Sequence, residues 1–375
     1  MHPAVAGTGP QGSSGLPSTA DPSAGSPAHE SLTPGARLSI LGPMQTVAEA
    51  GELAPPALGW IGAGRMGAAM AARLLRAGHQ LSVFNRTRSK TDPLVAQGAK
   101  AVDSIADLGD RDVVFVTVAS SDDLLAVLSG EGGLLGAAQL PKIVVDCSTV
   151  SEEASAKARA LAAAQGVAFL AAPVSGNPKV ARAGRLTMVV SGPRPVFDEV
   201  EPQLRIVAGE VVYVGEGDVS RLVKLCHNLL LGVVIQSLAE ITVLAQRGGV
   251  QRADFLAFLN SSVLGSLFTQ YKTPALVNLD FEPTFTTRLL RKDFDLGLGA
   301  ARALEVPMPV AGLVHQLLGA GIGNGIGDVD FAALVELVAR DAGISLESED
   351  VQVPDGLDPE GPGDRATGDP AADGG

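Results

Sequence analysis

The chain has 375 residues, 46% of them apolar and 18% charged, which suits a soluble globular protein with room for two domains. The net charge of −13 sits mostly at the ends. Residues 347–375 hold nine acids and one arginine, residues 1–56 four acids and one arginine, and the stretch between is nearly neutral. A nucleic-acid footprint needs a basic face and is excluded. The two cysteines, Cys147 and Cys226, exclude a disulfide framework or a cysteine metal site and fit a reduced, cytoplasmic setting. No membrane partner is expected, because the most apolar stretch, "LLLGVVIQSLAEITVLA", is broken by Gln236, Ser237 and Glu240.

In chain order, residues 1–56 are rich in Gly, Pro, Ser and Ala without sustained periodicity, and are read as disordered. From residue 57 strands and helices alternate. "ALGWI" reads as a strand, "RMGAAMAARLLRAG" as a helix ending at Gly78, and "QLSVF" as a second strand. "DVVFVTV" and "KIVVDC" are near-continuous apolar runs, as expected of parallel strands buried on both faces. Helical segments at 122–128 and 151–166 separate them, and strands continue to residue 215. The alternation predicts a doubly wound α/β domain over 57–217.

After "GEGD" the strands stop. Residues 219–249 read as one long helix, followed by helical segments at about 252–259, 286–305, 309–319 and 329–342. The second domain, 218–345, is therefore expected to be all-α. Residues 346–375 are read as a disordered acidic tail.

"GWIGAGRMG" places Gly62, Gly64 and Gly67 as G-x-G-x-x-G between a strand and a helix, with Arg65 and Met66 in the loop. In that setting the backbone can approach a pyrophosphate resting on the helix N-terminus. A site for NAD would put an acid at the end of the second strand, about twenty residues on. This strand ends "VFNRTRSK", so Asn85 stands there, followed by Arg86, Thr87 and Arg88. Arginine can clasp a 2′-phosphate that an acid would repel, so NADPH is expected over NADH.

In the long helix "SRLVKLCHN" puts Lys224 and Asn228 four residues apart, on one face. The apolar neighbours Leu222, Val223 and Leu225, together with the positive end of the helix dipole, are expected to lower the lysine pKa. Cys226 reads as buried filler, because nothing beside it lowers a thiol pKa.

Four motifs in register resemble the β-hydroxyacid dehydrogenases over about residues 57–345. These enzymes include 3-hydroxyisobutyrate dehydrogenases, tartronate semialdehyde reductases and glyoxylate/succinic semialdehyde reductases. The motifs are "GWIGAGRMGAAMA", "DCST" with "APVSG", "GEGDVSRLVKLCHNLLLG" and "FTTRLLRKDFDLGL". The resemblance implies a Rossmann domain joined by a long helix to an all-α domain, with the active site in the cleft. It implies Lys224 as general acid/base with Asn228 beside it, and Ser148, Ser175 and Gly176 holding the substrate. It also implies Val118, Ala119 and Thr149 along the cofactor, and Lys292 near the nicotinamide with Asp293 next to it.

The implied substrate is a small carboxylate-bearing molecule, and the implied assembly a homodimer or homotetramer. No metal is implied. Three positions depart from the family pattern: Ala171 where Asp is common, Asn177 where a second glycine is common, and His227 where many members have Asn. Asn177 is expected to line and re-polarise the substrate pocket. An imine reductase and an inactive cofactor-binding scaffold are the alternatives, and Lys224 argues against both.

Overall fold

A computed structural model describes residues 55–357. The first expected disordered segment lies outside these residues except for its last two positions. The α/β part opens with β1 (Leu58–Ile61), α1 (Arg65–Arg76), β2 (Leu81–Phe84), the short α2 (Asp92–Val95) and β3 (Lys100–Ala101). It continues with β4 (Val113–Val116), α3 (Ser121–Ser129), β5 (Ile143–Asp146), α4 (Glu152–Ala164) and β6 (Ala168–Ala171). These six strands form one parallel sheet in the order β3-β2-β1-β4-β5-β6.

β1, β4 and β5 are buried at every position. Alternate residues feed two cores, as the two-residue period of a strand requires. Leu58, Trp60, Val113 and Phe115 pack on one face, while Ile61, Val114 and Val116 pack on the other. Trp60 and Phe115 stack with ring centroids 5.2 Å apart.

The later strands expected before residue 215 do not all join this sheet. After β7 (Val174–Ser175) and α5 (Pro178–Arg182) come β8 (Thr187–Val190), α6 (Arg194–Val207) and β9 (Glu210–Tyr213). β7, β8 and β9 make a separate three-stranded sheet in which β7 runs antiparallel to β8.

The helical part begins with α7 (Val219–Arg247), a single helix of 29 residues. By length and composition it is apolar enough to cross a membrane, but half of its most apolar window is buried inside the chain. It is the core helix of this half. α8 (Arg252–Ser261), α9 (Leu267–Asn278), α10 (Thr287–Ala303), α11 (Pro309–Gly323) and α12 (Leu334–Asp341) complete it. α7 and α10 approach closely because neither has a side chain at the crossing. A Cβ on Gly232 would lie 2.3 Å from the Phe294 ring, and one on Gly297 would lie 2.9 Å from Leu229.

The boundary of the expected C-terminal tail shifts. Residues 346–357 pack against the helices instead of leaving them. The Glu349 carboxylate accepts from the backbone N–H groups of Arg252 and Ala253 at 2.7 and 2.9 Å, capping the start of α8. Asn278 and the Val351 backbone exchange two hydrogen bonds. Residues 358–375 lie outside the described residues.

Candidate active site

The strand order reverses between β1 and β4, and ligands of such sheets bind at the carboxyl ends of those strands. The glycine loop occupies this place. Gly62 has φ +98°, and a Cβ there would fall 2.0 Å from the Thr117 carbonyl oxygen. Gly64 is the N-cap of α1, has no side chain to cap it, and faces open space. The first N–H groups of α1 are thus without side-chain partners, which fits a pyrophosphate. At the end of β2, the Asn85 Oδ1 accepts from the Ala63 N–H at 2.8 Å and its Nδ2 donates to the Thr87 carbonyl at 2.8 Å. No carboxylate stands there. The Arg86 side chain is 91% exposed, with Asp123 3.7 Å away.

A cavity of about 320 Å³ runs from the glycine loop into the helical half. Gly64, Arg65, Met66 and Gly67 form one end. Val118, Ala119, Ser148 and Thr149 line it from the sheet, Gly176 and Asn177 from the loop after β7. Lys224, Asn228, Lys292 and Asp293 line it from α7 and α10. Gly62, Asn85, Arg86, Thr87 and Ser175 are not among its walls.

The polar groups of α7 and α10 form one chain. The Lys224 ammonium donates to Asn228 Oδ1 at 2.8 Å, and Asn228 Nδ2 donates to Asp293 Oδ2 at 2.5 Å. An ammonium only donates and a carboxylate only accepts, so the amide can face them only this way round. Lys292 donates to the Thr149 carbonyl at 2.8 Å. Its ammonium also lies 3.1 Å from Asp293 Oδ1, an ion contact without hydrogen-bond geometry.

Lys224 is only 7% exposed, and burial pulls its pKa down from 10.5 to about 8. The Asp293 charge opposes this shift, and the Lys292 charge adds to it. The expected source of the burial needs correcting. Val223 is 43% exposed, and of the three sequence neighbours only Leu225 is buried. Lys224 itself lies in the cavity wall, opposite residues of α10.

Asn228 spends one of its two amide N–H groups on Asp293 Oδ2 and keeps the other. Two further expectations change. Asn177 lines the cavity, but its Oδ1 caps α5 by accepting from the Lys179 and Val180 N–H groups at 2.9 and 3.0 Å. Only its amide nitrogen is left to face inward. Cys226 is exposed, while Cys147 is the buried cysteine.

Ser148 is 2% exposed, and its Oγ accepts from the Val118 N–H at 2.9 Å, which leaves the hydroxyl hydrogen to donate. Ser175 Oγ lies 2.9 Å from His227 Nε2, and His227 Nδ1 lies 2.9 Å from Asn228 Oδ1.

Several wall residues have no signal in the motifs. Tyr271 and Lys272 come from α9, a helix not expected from the sequence. Lys272 is buried, pairs with Asp330 at 2.6 Å and sits 4.2 Å over the Phe331 ring. Three residues before Lys224, the Arg221 guanidinium is 1% exposed. It donates to Asp146 Oδ2 and the Ser148 carbonyl, each at 2.6 Å, and to Ser155 Oγ at 2.9 Å. It thus fixes the start of α7 against β5 and the "DCST" loop. The signal was available as an arginine one turn ahead of the lysine, but its partners are distant in sequence.

Residues 57–215 match the family model described as the NAD binding domain of 6-phosphogluconate dehydrogenase. Residues 215–338 match the one described as NAD-binding of NADP-dependent 3-hydroxyisobutyrate dehydrogenase. This chain belongs to the β-hydroxyacid dehydrogenase family. It is similar to 2-(hydroxymethyl)glutarate dehydrogenase of Eubacterium barkeri, 31% identical over 291 residues, or 77% of this chain and 97% of the relative. It is also 31% identical to 3-hydroxyisobutyrate dehydrogenase of Pseudomonas aeruginosa, over 69% of this chain and 90% of that one.

Among solved structures it resembles 3-hydroxyisobutyrate dehydrogenase from Salmonella typhimurium, with a TM-score of 0.69 and 27% identity over 75% of this chain and 99% of that one. Psf3 in complex with NADP+ and 2-OPP matches with the same TM-score, identity and coverage. The protein is an NAD(P)-dependent dehydrogenase acting on CH–OH groups, and its α/β part is the dinucleotide-binding domain of this family.

Proposed function

We propose that this β-hydroxyacid dehydrogenase is an NADPH-dependent enzyme interconverting a small β-hydroxyacid and its semialdehyde or keto acid, with Lys224 as the proton donor. One observation carries the reading: a buried lysine with a depressed pKa borders the same cavity as an open glycine loop. Gly64, Arg65 and Met66 would hold the pyrophosphate, and Val118, Ala119 and Thr149 would flank the rest of the cofactor. When bound, the cofactor supplies the hydride.

The chain's residues supply the rest. Lys224 Nζ spends one N–H on Asn228 and keeps two for a substrate oxygen. As negative charge builds on that oxygen, an ammonium in a desolvated cavity stabilises it and hands over a proton. A pKa of about 8 leaves the proton available near neutral pH without holding it too tightly. Asn228, held by Asp293, aims the amine. The Ser148 hydroxyl and the Gly176 backbone, both in the cavity wall, would receive the substrate carboxylate.

Cofactor choice rests on Arg86, whose exposed guanidinium follows Asn85 at the end of β2. A hydrogen-bonded Arg–phosphate contact is worth about 1.5–3 kcal/mol, or about 10- to 100-fold. The test is kcat/KM with NADPH and NADH over a panel of glyoxylate, succinic semialdehyde, methylmalonate semialdehyde and tartronate semialdehyde. NADPH should win, and Arg86→Gln should erode the preference about tenfold while leaving NADH kinetics alone. Equal kcat/KM for the two cofactors in the unaltered protein would refute the preference. Turnover of cyclic imines with none of the four acids would refute the substrate class.

A further inference from the structure

His227 departs from the family's usual residue, yet both of its ring nitrogens are engaged. It stands between Ser175 of β7 and Asn228 of α7, at 2.9 Å from each. The network dictates its protonation. Asn228 Oδ1 accepts from Lys224, so it can only accept from the imidazole as well, and Nδ1 carries the hydrogen. His227 is exposed on its outer side, but desolvation on the side facing α7's neighbours and the Lys224 charge hold the ring pKa below the usual histidine value, against the pull of the Asn228 bond. The neutral ring then leaves Nε2 bare, and Ser175 Oγ–H donates to it.

We propose that His227 is a positioning residue for Lys224, its Nδ1–H pinning the Asn228 carbonyl on the amine while its Nε2 ties α7 to Ser175 of β7. This role rests on Lys224 being the proton donor. Once Lys224 gives up its proton, its own grip on Asn228 weakens, and the imidazole N–H keeps the amide from turning over. Because the two donors share one oxygen, the histidine also weakens the bond that would stabilise the ammonium. The charged and titratable groups lining the cavity with Lys224 are Arg65 of α1, Cys147 after β5, Tyr271 and Lys272 (paired with Asp330) of α9, and Lys292 and Asp293 of α10, while His227 lies beside it on α7.

Four proteins test this: the unaltered chain and the variants His227→Leu, His227→Asn and Lys224→Met. Each is checked for NADPH binding by fluorescence and for thermal stability. In His227→Leu, kcat for carbonyl reduction should fall about tenfold with the KM for NADPH unchanged, and the basic limb of the pH–kcat profile should move to higher pH. His227→Asn can still offer an amide N–H, and should keep kcat within about threefold of the unaltered chain.

Independently of activity, ¹⁵N NMR of the unaltered protein at pH 8 should show the His227 ring in the Nδ1–H form. An Nε2–H form, an unmoved limb and kcat in His227→Leu, or an asparagine variant as impaired as the leucine one, would each overturn the proposal. Lys224→Met separates the two readings. If it turns over normally, the proton-donor assignment fails first. If it is inactive while His227→Leu behaves as the unaltered chain, only the role of His227 fails.

Discussion

Arg221 and Lys224 lie one turn apart on α7, are both buried, and do opposite things. Arg221 makes three hydrogen bonds to Asp146, Ser148 and Ser155, and all of these partners are fixed by the parallel sheet and α4. Lys224 makes one, to Asn228, and turns the remainder of its ammonium to a cavity. A buried cation with each of its nitrogens bonded to a fixed partner holds two parts of a chain together. A buried cation left with open valences beside a cavity keeps its interaction energy for what enters there.

The largest test of this contrast is Arg221→Leu. Removing one partner of a buried pair strands the Asp146 carboxylate and should cost about 3–5 kcal/mol. Urea unfolding should show the loss as a lower midpoint with an unchanged slope. A loss below about 1 kcal/mol would mean that the pair is not a brace.

Lys224→Met should move stability the other way. The folded protein holds this lysine at about 8, whereas the unfolded chain holds it at 10.5, so folding below pH 8 works against protonation. Between those values the unfolded chain binds more protons, and the stability of the unaltered protein should rise with pH. The full difference corresponds to about 3 kcal/mol. Lys224→Met should therefore be the more stable protein at pH 7, and the gap should close as pH rises towards 10.5. Denaturation curves at several pH values measure it, and a methionine variant less stable at every pH would contradict the open-valence description.

At the small end stands Arg205→Gln, which breaks an exposed i, i+4 pair with Glu201 on α6. It should change stability by no more than about 0.5 kcal/mol, because solvent screens such a pair.

The features readable in advance share one property: their partners are close in sequence or their spacing is stereotyped. The strand–glycine–helix run at 58–76, the buried runs of β4 and β5 and the 29 residues of α7 are all of this kind. So is the Lys224/Asn228 face.

What escaped was set by distant contacts. α9 carries Pro274 and two threonines and lacks a clear apolar stripe, and its capping box at Ser266 and Thr269 was the one local mark of its start. Residues 346–357 have the composition of a solvated tail, but Glu349 finds the open N–H groups of α8. Cys226 looked buried amid apolar neighbours, yet it lies on the outer face of α7. The depression of the Lys224 pKa was anticipated, but of the neighbours named for it only Leu225 is buried, and the Asp293 and Lys292 charges that also act on it come from α10, which no helical period reveals.

The central claim is that Lys224 delivers the proton. Stopped-flow single turnover measures it most directly: enzyme loaded with NADPH is mixed with an accepted aldehyde acid, and loss of the reduced cofactor is followed by its absorbance. In Lys224→Met the hydride-transfer phase should slow about 10²- to 10⁴-fold while NADPH still binds as tightly as before. A phase of unaltered rate and amplitude in that variant would contradict the account.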